Sequence, residues 1–192
     1  MRHFFMYAGI ALLSYIPLGD SHAQDGKTNA KNMTVSAPVS FESEHTGTFN
    51  NVKLRYTATA GETYLKNAKG EETAAIFSTS YIRTDVKNTT ERPVFFIFNG
   101  GPGSSSVWLH MGVYGPKRVA IPSNAKDDGA APYKRIHNPL SIIDTADMVF
   151  IDPVGTGYSR AIGKGDGKDF WGVRKDARSI AEFIRLWLVK NN

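Results

Sequence analysis

The stretch 94–106, Val-Phe-Phe-Ile-Phe-Asn-Gly-Gly-Pro-Gly-Ser-Ser-Ser, restricts the fold more than any other part of the chain. Five β-branched or aromatic residues run without a polar interruption into a glycine-rich turn and three serines. Such a run reads as a strand apolar on both faces, hence central in a sheet, and the serines suit the cap of a following helix. Glycine has no Cβ, so main-chain N–H groups at positions 100, 101 and 103 can face a substrate oxygen at close range. Pro102 fixes one φ and donates nothing. A buried strand delivering such a loop to a helix is where α/β enzymes place chemistry.

Around this stretch the texture changes in a consistent order. Residues 1–23 carry Arg2 and His3, an apolar run to Leu18, and Ser-His-Ala at 21–23, the pattern of a signal peptide. Pro17 and Gly19 interrupt the run before the roughly 20 apolar residues that a spanning helix needs, so no stable membrane anchor is expected. Residues 24–40 are polar and aperiodic, a flexible lead-in. From 48 to 84 apolar and polar residues alternate, with Asn50-Asn51, Ala60-Gly61 and Lys69-Gly70 as turns, which predicts an antiparallel meander. After the stretch 94–106, Gly115-Pro116 stops a short helix from 104, and 117–140 is loop-rich. A second short apolar strand at 146–152 runs into the glycine-rich turn 153–157. Asp169 then caps a helix over 169–190, with Val173, Ala177, Ile180, Ala181, Ile184, Trp187 and Leu188 on its apolar face. Strand, helix, strand, helix after a β meander is an α/β pattern, and it closes on a helix that a further strand would ordinarily follow.

Composition excludes several classes. The absence of cysteine rules out disulfides, thiolate metal sites and cysteine nucleophiles. An exported protein that does without disulfides suits a bacterial periplasmic or secreted product. The five histidines have no ligand-like spacing, and no metal or other cofactor is expected. The formal net charge is +5, but the bases are scattered among acids, so a nucleic-acid partner is not implied. Phosphate cradles fail too: Arg160 stands where the third glycine after Gly155-Thr156-Gly157 would be, and Gly163-Lys164 precedes Gly165 rather than Ser or Thr. Asn88-Thr89-Thr90 matches a glycosylation acceptor, a chance match in a bacterial protein. No Gly-x-Ser-x-Gly nucleophile elbow occurs in the chain, and Ser104, Ser105 and Ser106 read as helix-capping residues rather than nucleophiles.

The segment Asn99-Gly100-Gly101-Pro102-Gly103-Ser104-Ser105-Ser106 resembles the Asn-Gly-Gly-Pro-Gly-x-Ser-Ser motif of the serine carboxypeptidases. Asp152-Pro153-Val154-Gly155-Thr156-Gly157-Tyr158-Ser159 resembles that family's Asp-Gln-Pro-x-Gly-x-Gly-[Phe/Tyr]-Ser segment without the glutamine, and Gly115-Pro116 and Asn138-Pro139 fall between the two as they do in the family. The resemblance covers about 41–192 and concerns the N-terminal part of an α/β-hydrolase fold. The proline iminopeptidases of the same fold carry His at the position of Asn99 and Arg-Gly in the second motif, and fit less well.

What the resemblance implies attaches to particular residues. The Gly101 N–H is an oxyanion donor; Asn99 and the Gly100 N–H bind the terminal carboxylate of a peptide substrate; Trp108 and Gly112 shape the pocket for the leaving residue. Val113 replaces a glutamate that favours acidic pH in better-known members, so an acidic optimum is not implied. Ser104 replaces the family's cysteine. The nucleophile strand and elbow and the catalytic Asp and His are expected beyond this chain, which by itself is expected to be inactive and poorly stable. Acyl transfer to an alcohol, and a non-catalytic binding module, are the competing expectations.

Overall fold

The computed structural model describes residues 35–89, 91–100, 103–122, 124 and 131–191. The chain divides into compact units 1–31 and 32–192, and all described residues belong to the second. The expected signal peptide and most of the lead-in lie outside them.

The meander forms from three long strands, β1 Ser40–Phe49, β2 Val52–Lys66 and β3 Glu72–Arg83. Asn50 and Asn51 both have positive φ, 46° and 66°, so Phe49 faces Val52 across a two-residue hairpin whose twist matches its strands. At 67–70 the Asn67 side chain accepts from the N–H groups of Lys69 and Glu71, and Gly70 takes φ 78°. The turn expected at Ala60-Gly61 does not exist, because β2 runs straight through it and Gly61 pairs with Ser40 on one side and Ser78 on the other. A Cβ at Gly61 would stand 2.7 Å from the Val39 carbonyl oxygen, so this glycine marks a close backbone approach inside a strand.

The sheet continues with β4 Val94–Ile97 and β7 Asp147–Ile151 in the order β1-β2-β3-β7-β4. Between them lie the hairpin β5 Lys117–Val119 with β6 Arg135–His137, and a 3₁₀ turn at Ile142–Asp144. The short strand β8 Arg160–Ala161 pairs with β3. β7 lies between β3 and β4, antiparallel to the first, parallel to the second and wholly buried. β4, expected to be central, is the end strand: among the described residues it pairs with β7 alone, leaving Phe95 and Phe98 each 46% exposed.

Each face of the sheet carries its own core. On one side Ile76, Val149 and Ile151 meet Ile180, Phe183 and Trp187 of the long helix α2 Val173–Asn191. On the other, Tyr56, Met148 and Phe150 pack with Leu109 and Tyr114 of the short helical segment after β4. The stripe that α2 buries includes Phe183, which the expected apolar face left out, whereas Val173, Ala177, Ala181 and Leu188 of that face are exposed. Asp169 does not cap α2. It belongs to a 3₁₀ turn at Gly167–Asp169, where it reciprocates the cap made by Asp166, and Gly172 with φ 96° separates that turn from the helix.

Candidate active site

β4 and β7 run parallel, so their glycine-rich loops leave from the same end of the sheet. That end of an α/β sheet, beyond the carboxyl termini of its strands, is where ligands bind. The loop after β4 enters α1 Val107–Leu109, which passes directly into a π-helical turn at His110–Tyr114. The helix therefore starts three residues later than the sequence suggested. Ser106 stands at its N-cap but makes no side-chain cap. Instead, the Ser106 N–H and hydroxyl both donate to Oδ1 of Asp152, each at 2.9 Å. The cause is geometric: Asp152 directly follows β7, points into the first turn of α1 and offers a charged acceptor, which outcompetes a neutral cap.

Asp152 is itself anchored. Its N–H donates to the Phe77 carbonyl at 3.1 Å, and its carbonyl accepts from the Ser159 hydroxyl at 2.6 Å. Ser159 Oγ in turn accepts from the Phe77 N–H at 2.7 Å. Gly157, at φ 50°, lies against the carboxylate, since a Cβ there would fall 1.9 Å from Oδ2. The two glycine-rich loops are thereby joined through one buried carboxyl group.

A cleft of about 450 Å³ opens between the loops, walled by Phe77, Val107, Phe150 and Tyr158, with Asp152 and His110 among its polar lining. The His110 ring stacks on Phe150 with centroids 4.4 Å apart, and Nε2 is hydrogen-bonded to the Tyr81 hydroxyl at 2.7 Å. Burial lowers the His110 pKa to about 4, with nearby Asp152 opposing the shift, so the imidazole is neutral at physiological pH. Burial likewise pushes the Tyr81 hydroxyl up. Neither element of this pair was singled out by sequence. The only cue was a histidine at 110 set in an otherwise apolar helical segment.

The expected site residues fall as follows. Asn99 and Gly100 follow β4 after one intervening residue, and the Asn99 carboxamide donates to Ser104 Oγ at 2.9 Å and to the Gly100 carbonyl at 3.0 Å. Gly100 is exposed with open space where a Cβ would be. Gly101 lies outside the described residues. Trp108 sits in α1, 68% exposed, and Gly112 one turn on in the π-helical segment, exposed with nothing within 4 Å of its Cβ position. The hydroxyl of Ser106 is directed at Asp152 and Ser104 accepts from Asn99, so neither serine caps the helix as the sequence suggested. Among the described residues no cluster of three acidic or histidine side chains could hold a metal ion, and no helix is long and apolar enough to cross a membrane.

A mixed sheet with two glycine-rich loops at the carboxyl ends of adjacent parallel strands defines the N-terminal part of an α/β-hydrolase. The family model for serine carboxypeptidases matches residues 57–192, and the chain belongs to that family. Serine carboxypeptidase-like 9 of Arabidopsis thaliana is 29% identical over 123 residues, 64% of this chain and 26% of that protein. The pheromone-processing carboxypeptidase KEX1 of Saccharomyces cerevisiae is 36% identical over 93 residues, 48% of this chain and 11% of that protein. A crystal structure of KEX1(delta)p, a prohormone-processing carboxypeptidase from Saccharomyces cerevisiae, aligns with 60% of this chain and 22% of its own at 29% identity and a TM-score of 0.42. The chain spans 26% or less of the length of these relatives.

Proposed function

We propose that the chain supplies the carboxylate-holding and carbonyl-polarising half of a serine carboxypeptidase, which releases C-terminal residues from peptides through an acyl-enzyme. The observation that carries this reading is the Asn99 carboxamide, fixed by Ser104 just beyond β4, at the sheet end where substrate binds in this fold. A substrate carboxylate exchanges with the Gly100 carbonyl as acceptor from Asn99, while the Gly100 N–H adds a second donor. The resemblance assigns the oxyanion to the Gly101 N–H, a role whose loss typically costs about 3 kcal/mol of transition-state stabilisation. Trp108 and Gly112 border the leaving residue. The nucleophile, Asp and His belong to parts of the enzyme outside these residues. Export to a bacterial periplasm or medium is part of the same proposal, supported by the signal-like pattern at 1–23.

The test is a substrate pair differing only at the C-terminus. In the full-length enzyme, Asn99→Ala raises KM for a blocked dipeptide with a free carboxylate by about tenfold, the loss of a charge-assisted hydrogen bond. The amidated counterpart changes little. Equal effects on both substrates would refute carboxylate recognition by Asn99, and product analysis with an added alcohol separates hydrolysis from acyl transfer.

A further inference from the structure

Asp152 is a carboxylate buried to 9% exposure that, among the described residues, takes part in no ion pair. A charge kept in that position needs its hydrogen bonds, and both bonds to its side chain come from one residue, Ser106. We propose that Asp152 is a positioning residue for the Asn99 carboxamide, acting through Ser106 and Ser104; the inference rests on the carboxypeptidase reading for its functional meaning.

The path is short and each link is a contact described above. The Asp152 backbone is pinned to β3 through Phe77 and Ser159, so its carboxylate projects from a rigid base. Oδ1 takes both the N–H and the hydroxyl of Ser106, which fixes that residue's main chain and its rotamer together. Two residues earlier Ser104 accepts from Asn99. None of the described residues of 98–106 lies within a strand or helix; the Ser106 carbonyl accepts from the His110 N–H at 2.8 Å, and the Asn99–Ser104 and Ser106–Asp152 contacts are the side-chain anchors. On the far side Oδ2 lies against Gly157, where any Cβ would collide with it. The carboxylate is thus held between the second glycine loop and the end of the first. Moving it moves Ser106, and with it the point at which Asn99 meets a substrate.

Three variants of the full-length enzyme test this. Gly157→Ala displaces the carboxylate while keeping its charge, Asp152→Ala removes it, and Asp152→Asn keeps its shape and one acceptor. Two readouts are taken: hydrogen exchange of the peptide covering 104–109, and KM for the free-carboxylate and amidated substrates. Gly157→Ala and Asp152→Ala should each speed exchange at 104–109 by about tenfold, the loss of the charge-assisted bond to the Ser106 N–H, and raise the free-carboxylate KM by a similar factor. Exchange across 173–191 and KM for the amide should stay as in the wild type, and Asp152→Asn should restore most of both. If Asp152→Ala does not fold, Gly157→Ala carries the same comparison. Exchange that rises evenly along the chain, or a KM effect shared by both substrates, overturns the assignment. Should the wild-type enzyme release no C-terminal residue, the carboxypeptidase reading falls, and the exchange pattern alone still decides whether Asp152 sets the loop.

Discussion

The two ends of β7 each carry a buried aspartate, and they are built in opposite ways. Asp147, where the strand begins, accepts from Arg92 Nε at 3.0 Å and from the Arg83 N–H at 3.0 Å, while the same Arg92 guanidinium also donates to the carbonyls of Ile143 and Asp144. Its charge is compensated, and the planar fork stitches three segments together. The Asp152 carboxylate, just past the end of the strand, accepts from the N–H and hydroxyl of Ser106 and, among the described residues, meets no cation. One end is arranged for stability and the other for the placement of a loop. The difference follows the general asymmetry of α/β sheets, in which chemistry gathers at the carboxyl ends of the strands.

Breaking the amino end should produce the largest effect. Arg92→Met strands the buried Asp147 charge and should lower unfolding free energy by about 3–5 kcal/mol. Urea denaturation reads this, and no substrate preference should accompany it. At the carboxyl end the next effect is a pH dependence carried by His110. Its folded pKa, about 4, lies below the ordinary value, so the unfolded chain takes up the proton first as pH falls. Stability from this group is complete above pH ~6.5 and is lost towards pH 4, a change of about 3 kcal/mol. Denaturation midpoints measured across that window should fall less steeply in His110→Leu than in the wild type, although the variant starts lower because Tyr81 loses its partner. Smallest in stability is Ser106→Ala, which removes one of the two bonds to Asp152 and should cost roughly 2 kcal/mol. Its signature is selective: KM for the free-carboxylate substrate rises, which Arg92→Met should not reproduce once the folded fraction is corrected for.

Turn chemistry and alternation made much of the sheet legible in advance. Asn50-Asn51 and Lys69-Gly70 announce turns because their residues favour the conformations found there, and the unbroken apolar run before Asp152 announces β7. At Gly61 sequence and structure part, because a glycine that turns the chain and a glycine that admits a neighbouring backbone look alike in one dimension. β4 was placed at the sheet centre because an apolar run reports what a strand is suited to meet, whereas its neighbours are set by topology. The buried face of α2 departs from the expected one because the small side chains of Ala177 and Ala181 lie outside the stripe that Phe183 fills. In the site, the motif containing Asp152 was visible but its function was not, since Ser106 stands 46 positions earlier and no local pattern joins them.

The π-helical turn has a consequence for insertions and deletions. The Gly115 N–H reaches back five residues to the His110 carbonyl, so this turn holds one residue more than an α-helical one. Losing any single residue from 110–114 would let the segment relax to ordinary helix and turn everything after it by about 100°. Gly115-Pro116 and the Asn138 side chain, which clasps the carbonyls of Val113 and Gly115, would then fall out of phase. Segment length, more than side-chain identity, is therefore what this turn can least afford to vary.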